Sequence, residues 1–447
     1  MGGRAAHRAG AEVVARMTRP SLRLPIHRGT TAHLSSLYPF SVQGALGTDG
    51  LYVGVDLLAG GAEFCWDPFD AYTAGLVTNP NCWILGEPGH GKSSLVKCLL
   101  WRMAGVYGSG ARGRWIAIVD PKGEYAPLAE GLGLPVIRLA PGGSVRINPL
   151  ADPPGGGDEP SDLRVLRRSE LVAALVATVL GRQLTQLEDA AIFAAVDGLL
   201  ARGSSPTLVD LIREVTSPSE SLAERLRESR ATLGVDLGSV RFALDKLLSR
   251  SLRGMFDGPS TISVPVDGPG LVLDLSAVPL DSDALPLVMV AAAGWLSHIL
   301  ATPGPRRVQV LDEAWALLGN RHTAAYLQTC FKRGRSYGVS NICIAHRPSD
   351  LGAQADDGTA TAKIAAGLLA DAATKILLRQ APDQLDLAAE VVGLSEPEQT
   401  IVGQLARGRA LWKVGGRTAV VHHLLSSAEV ALCDTDARMT ASAAAAA

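Results

Sequence analysis

The chain has 447 residues, 47% of them apolar and 19% charged, with a net charge of −2 and an isoelectric point near 6.5. That length suits one large α/β domain with an inserted subdomain, or two domains, and the apolar content supports a buried core. The near-neutral charge does not mark a bulk nucleic-acid binder, although a ring can hold a basic pore within a neutral total.

The first 50 residues read as an irregular N-terminal segment, and the Arg- and Ala-rich start lacks the continuous apolar stretch of a signal peptide. A strand-like, turn-rich pattern begins at Leu51. The short apolar run Cys82-Trp83-Ile84-Leu85 then leads into Gly86-Glu87-Pro88-Gly89-His90-Gly91-Lys92-Ser93, a complete G-x-x-x-x-G-K-[ST] loop. Helical spacing follows from Ser94, so the loop has the strand–loop–helix context that its chemistry requires. Gly86, Gly89 and Gly91 let backbone N–H groups close around a phosphate at the positive end of a helix, together with those of Ser93 and Ser94. Lys92 is placed to reach the β- and γ-phosphates, and the Ser93 hydroxyl to ligate Mg²⁺.

Further strands are expected at 115–119, ending in Asp120-Pro121-Lys122-Gly123-Glu124-Tyr125, and at 135–139, leading to Ile147-Asn148-Pro149-Leu150. Asp120 and Glu124 fit either a place beside the Mg²⁺ site or a turn. A Pro/Gly-rich linker at 153–160 separates this part from 161–258, where helical periodicity runs throughout. The reading is an all-α insertion over 156–258, between the two parts of a motor at 51–155 and 259–430, with a flexible tail at 431–447. Strands resume at 271–275, 308–311, 342–345 and 375–378, and 410–421 reads as a hairpin turning at Gly415-Gly416. The apolar stretch 285–301 is short for a membrane span and carries Pro286, Ser297 and His298, so a buried helix is expected and no integral membrane segment. Alternating strands and helices imply an α/β fold with a mostly parallel sheet, and such sheets bind ligands at the carboxyl ends of their strands.

A phosphate loop alone binds; a carboxylate pair at a neighbouring strand end turns binding into hydrolysis. Val308-Gln309-Val310-Leu311 ends at Asp312-Glu313, with Asp312 assigned to Mg²⁺ and Glu313 to deprotonating the attacking water. The guanine-reading Asn-Lys-x-Asp of GTPases is absent from the sequence, and Leu394-Ser395-Glu396-Pro397-Glu398-Gln399 lacks the glycines and position of a transporter signature. Arg333 and Arg335, in a basic helix end, are candidates to cross into a neighbouring subunit's site, and His346, at a strand end, to sense the γ-phosphate. His90 is expected to face solvent or a neighbour. His422 and His423, adjacent in a strand, point to opposite faces and do not share a metal. The six cysteines, Cys65, Cys82, Cys98, Cys330, Cys343 and Cys433, form no C-x-x-C and read as small core residues of a reducing, cytosolic compartment.

Taken together, the loop at 86–93, Asp120 to Tyr125, Ile147 to Leu150, Asp312 to Trp315 and the strand ending at His346 resemble the secretion ATPases of type IV systems. The resemblance is to the fourth VirB component and the TraC-like conjugal-transfer ATPases of the HerA/FtsK group, and it spans roughly residues 50–430. Gly254-Met255-Phe256-Asp257-Gly258 is similar to the segment with which that family leaves its helical insertion. The resemblance implies a RecA-like, ATP- and Mg²⁺-dependent motor acting as a hexamer with secretion or conjugation components. DNA is a candidate partner, and the implied place is cytoplasmic, peripheral at the inner face of the plasma membrane. It gives nucleotide and Mg²⁺ to Lys92 and Ser93, metal and water to Asp312 and Glu313, a trans-acting arginine to the 333–335 region and the sensor to His346. Members of the family carry Gln at the sensor position and a large N-terminal docking domain, where this chain has His346 and a short leading segment. A DNA-translocating pump or coupling protein, and a nucleotide-switched assembly protein with little turnover, are the alternatives.

Overall fold

The computed structural model describes residues 45–108, 112–152, 160–202, 205–264, 266–302, 304–346 and 360–433. Most of the 1–50 segment, most of the 153–160 linker and the tail after Cys433 lie outside the described residues.

The described chain opens with β1 (Leu51–Asp56), β2 (Ala62–Trp66) and α1 (Pro68–Thr73). β3 (Cys82–Leu85), α2 (Lys92–Tyr107), β4 (Arg114–Asp120), α3 (Ala126–Leu132) and β5 (Val136–Arg138) follow. A run of helices comes next: α4 (Ser161–Leu180), α5 (Gln186–Ala201), α6 (Leu208–Thr216), α7 (Glu220–Leu226), α8 (Arg230–Asp236) and α9 (Gly238–Lys246). The chain returns to β6 (Gly270–Asp274), α10 (Ala284–Leu300), β7 (Arg306–Leu311), α11 (Trp315–Leu318), α12 (Arg321–Gly334) and β8 (Val339–Ala345). It closes with α13 (Ala360–Ala370), β9 (Thr374–Leu377), α14 (Leu385–Val392), α15 (Glu396–Gln404), β10 (Arg409–Val414), β11 (Arg417–His423) and α16 (Ser427–Cys433).

Among the described residues the strands form one 11-stranded sheet in the order β2-β1-β11-β10-β9-β3-β8-β7-β4-β6-β5. From β9 to β5 every pairing is parallel, and the β10, β11, β1 and β2 flank is antiparallel. Every residue of β3, β4 and β8 is buried, as expected of strands covered on both faces. Alternate residues serve opposite faces. Trp83, Leu85, Ala117, Val119 and Leu311 pack beneath the helices of 161–251, whereas Ile84, Ile116, Ile118 and Val310 pack against α2 and α3. The hairpin is as expected, with Val414 opposite Arg417 and a two-residue turn. Helix α10 is buried on nearly every side, and no helix among the described residues is long and apolar enough to cross a membrane.

The helical stretch returns to the sheet through a joint rather than a free hinge. Gly254 has φ +76, and a Cβ there would lie 2.6 Å from Gly142 Cα. Ile147 N–H donates to the Met255 carbonyl (2.8 Å), and Arg146 pairs with Asp257 (2.9 Å). The Asn148 amide donates to Pro206 O (2.9 Å), its carbonyl receives Leu150 N–H (3.0 Å), and Ser260 Oγ accepts its backbone N–H (2.9 Å). The Asn-Pro-Leu and Gly-Met-Phe-Asp segments are thus the two halves of one seam. The helical periodicity that reads as continuous through 161–258 is broken between α7 and α8, because Arg227 closes α7 in the left-handed region (φ 55) and Ser229 caps α8.

Candidate nucleotide-binding and hydrolysis site

The parallel register sets the site before any side chain is considered. Leu85 lies beside Ala345, Leu311 beside Cys343, and Val119 beside Leu311. The residues that follow these strand ends therefore emerge together at one edge of the sheet, where Gly86 N–H donates to His346 O (3.1 Å). The loop glycines are sterically required at three points. Gly89 and Gly91 have φ +79 and +101, and a Cβ on Gly86 would sit 2.7 Å from Leu378 Cβ. Gly91 caps α2 without a side chain, so the first N–H groups of that helix remain available to an anion.

Pro88, Gly89, Gly91, Lys92, Ser93 and Ser94 line a cavity of about 230 Å³ together with Lys122, Glu124, Asp312, Glu313, His346, Arg407 and Cys433. Lys92 is buried and its ammonium donates to the carbonyls of Gly86 (2.5 Å) and Glu87 (3.1 Å). His90, on the loop's crest, stands 3.7 Å from the Glu87 carboxylate.

Asp312 is buried; its carboxylate accepts Glu313 N–H (2.9 Å) and the Tyr125 hydroxyl (3.1 Å). Burial, then the Glu313 charge, raise its carboxyl to about 6. A buried carboxylate lining the same cavity as Ser93 suits a cation, which would offset its desolvation. Glu313 sits in the left-handed region (φ 52), a conformation that costs a non-glycine residue about 1 kcal/mol or more and that persists where the surroundings fix it. Its carboxylate is held on three sides: an ion pair with Lys122, a 2.9 Å hydrogen bond with His346 Nε2, and the Trp315 indole N–H. Burial works against ionisation, but His346 and Lys122 outweigh it and hold the Glu313 carboxyl down at about 2. An ionised, anchored carboxylate facing this cavity is placed to orient a water by accepting its hydrogen bond.

Of the residues expected here, the structure gathers Gly86, Gly89, Gly91, Lys92, Ser93, Ser94, Asp312, Glu313 and His346 at this edge. It does not gather the arginines. Arg333 is held by both oxygens of Glu170 (2.7 and 2.9 Å), and Arg335 is exposed with its guanidinium over the Tyr72 ring; both precede β8 and so lie at the opposite edge of the sheet. Asp120 is the turn residue of its loop, accepting the N–H groups of Lys122, Gly123 and Tyr125 at 3.1, 2.8 and 3.0 Å, while Glu124 lines the cavity. His423 accepts the Trp412 indole N–H (3.0 Å). Lys122 and Arg407 are cavity residues to which sequence reasoning gave no role. Lys122 carried a signal, its place in the Asp-Pro-Lys-Gly-Glu-Tyr loop; Arg407 carried none, being delivered by the antiparallel entry of β10 beside β9.

Residues 77–175 match the family model of the helicase HerA central domain. No curated protein matches the chain in sequence. The fold is similar to that of VirB4 of Thermoanaerobacter pseudethanolicus, at 22% identity and a TM-score of 0.64, covering 87% of this chain and 100% of that one. It is also similar to the plasmid coupling protein TrwB in complex with the non-hydrolysable ATP analogue ADPNP (16% identity, TM-score 0.55, 91% of this chain and 96% of that one). For TrwB in complex with ADP and Mg²⁺ the figures are 18%, 0.53, 78% and 85%. The chain therefore has the RecA-like P-loop ATPase fold also seen in VirB4 and TrwB.

Proposed function

We propose that the chain is an ATP-hydrolysing motor that works as a hexameric ring in conjugative DNA transfer or type IV secretion. The observation that carries this reading is the meeting of an uncapped phosphate loop with the Asp312–Glu313 pair, Glu313 being ionised and anchored by Lys122 and His346. Lys92 and the N–H groups opening α2 hold the phosphates, and Ser93 and Asp312 hold Mg²⁺. The metal, when bound, supplies positive charge against the phosphate oxygens. Glu313 orients and deprotonates the attacking water, and His346 links Glu313 to the γ-phosphate position. Residues 51–155 and 259–430 act as the motor and 156–258 as an all-α insertion upon it.

Arg335 rather than Arg333 suits a crossing role, because it is exposed whereas Arg333 is already engaged by Glu170. TrwB in complex with ADP and Mg²⁺ supports the cofactor assignment. The absence of a membrane-spanning helix among the described residues suits peripheral attachment at the inner face of the plasma membrane through secretion or conjugation components.

A DNA-translocating pump is the second reading, favoured by the HerA-type segment and the likeness to a coupling protein. Steady-state ATP hydrolysis with and without single- and double-stranded DNA separates the two. Turnover indifferent to DNA supports the secretion motor, and strong stimulation supports the pump. No turnover in any oligomeric state contradicts both and favours a nucleotide-switched assembly protein.

A further inference from the structure

Cys98 on α2 and Cys433 at the end of α16 are 335 positions apart in sequence, yet their Sγ atoms are 3.5 Å apart. The helix that brings Cys433 there is firmly seated. Glu429 of α16 takes two hydrogen bonds from the Arg102 guanidinium of α2 (2.5 and 2.9 Å), and Arg102 also donates to the carbonyls of Tyr52 and Leu424 (2.6 and 2.5 Å). Cys98 is buried, whereas Cys433 is half-buried and lines the phosphate cavity, its Sγ 3.5 Å from the Ser94 carbonyl. Lys97, adjacent to Cys98, is 1% exposed, and among the described residues its ammonium has no hydrogen-bond partner; its contact is the face of the Tyr125 ring at 5.5 Å. The Cys98 hydrogen bond and the Lys97 charge both favour the Cys433 thiolate. One sulfur is thus open to a small oxidant and activated, and the second waits behind it.

We propose that Cys98 and Cys433 are a redox modification site, closed to a disulfide by hydrogen peroxide that enters through the phosphate cavity. The Cys433 thiolate attacks the peroxide, forming an S–O bond as the O–O bond breaks and hydroxide leaves, which takes up a proton. Cys98 then attacks the sulfenic sulfur, forming the S–S bond as the S–O bond breaks and the oxygen leaves as water, taking up the Cys98 proton. Two thiols are oxidised and one hydrogen peroxide is reduced. The sulfurs need close only from 3.5 Å to the covalent distance of about 2.0 Å. The bridge ties α16 covalently to the helix that carries Ser93 and Ser94. In a reducing compartment such a bond is a transient, regulatory one.

The test treats the reduced full-length chain with hydrogen peroxide, without nucleotide, then alkylates it and maps the peptides unreduced. The expected product is a Cys98–Cys433 cross-linked peptide, reversed by dithiothreitol, with Cys65, Cys82 and Cys343 still thiols. Cys98→Ala is expected to stop at a Cys433 sulfenic acid trapped by dimedone. Lys97→Met is expected to slow the reaction several-fold without abolishing the cross-link. Cys433 oxidised to sulfinic acid in the wild type with Cys98 still a thiol, or no oxidation of Cys433 ahead of Cys330, overturns the proposal. Because no nucleotide enters the experiment, its outcome is separate from that of the ATPase reading.

Discussion

Glu313 concentrates the chemistry at the residue scale. Its carboxylate stays ionised in a buried place because Lys122 and His346 face it, while the neighbouring Asp312, lacking an equal partner, is raised to about 6. Two adjacent carboxyls pushed apart in this way are suited to different roles. Removing Lys122 takes a positive charge from Glu313, so burial then acts with less opposition and its carboxyl rises. In Lys122→Met the acid limb of the pH profile of kcat/KM is expected to shift to higher pH; an unmoved limb would mean that Glu313 does not depend on Lys122. The meeting of Lys92, Ser93, Asp312 and Glu313 at one cavity was legible because each stands in a short local pattern. The pairing of Lys122 with Glu313 was not, because the two come from different strands and only the register of β4 beside β7 joins them. The Cys98–Cys433 contact was hidden for the same reason, its two sulfurs lying near opposite ends of the chain.

Elements were legible where burial imposes a period. The strands beneath both helical layers read as unbroken apolar runs, and α10 as a buried helix. The break between α7 and α8 was not, since Arg227 adopts the left-handed region without being a glycine. Within this layer α5 begins with a capping box in which Thr185 and Glu188 satisfy each other's backbone. Arg182 pairs with Glu188 at 2.7 and 2.8 Å and the Ser239 hydroxyl donates to it; the Arg182 bond, against the pull of burial, lowers its carboxyl to about 2. A depressed carboxyl stabilises the fold above its unfolded value and loses that contribution as pH falls through the folded value. The stability gap between wild type and Glu188→Gln is therefore expected to be full at neutral pH and to close between about 4.5 and about 2. With Arg182 standing half in solvent, water screens the pair and keeps the gap small. Urea unfolding of the two proteins across that range checks it, and a gap that does not change with pH would contradict it. At the exit seam, Gly254→Ala must strain a left-handed residue and push against the Gly142 backbone. A loss of about 2 kcal/mol or more in the same unfolding assay is expected, and a neutral variant would show that the seam yields.

Among the described residues one broad sheet carries the candidate phosphate site at the carboxyl edge of its parallel half, and its antiparallel half adds Arg407 and α16 to the same edge. The α/β class and the order of its motifs were legible from the sequence. The antiparallel flank was less so, since β1 and β2 join the hairpin through pairings that no local pattern announces. Arg333 and Arg335 lie at the other edge, away from this cavity. Turnover is the central claim, and the most direct measurement compares ATP hydrolysis and ATP binding by the wild-type chain, Lys92→Ala and Glu313→Gln. The expected result is loss of both properties in Lys92→Ala, with Glu313→Gln still binding ATP while its turnover falls by about 10²-fold or more. Turnover left intact in Glu313→Gln would contradict the account.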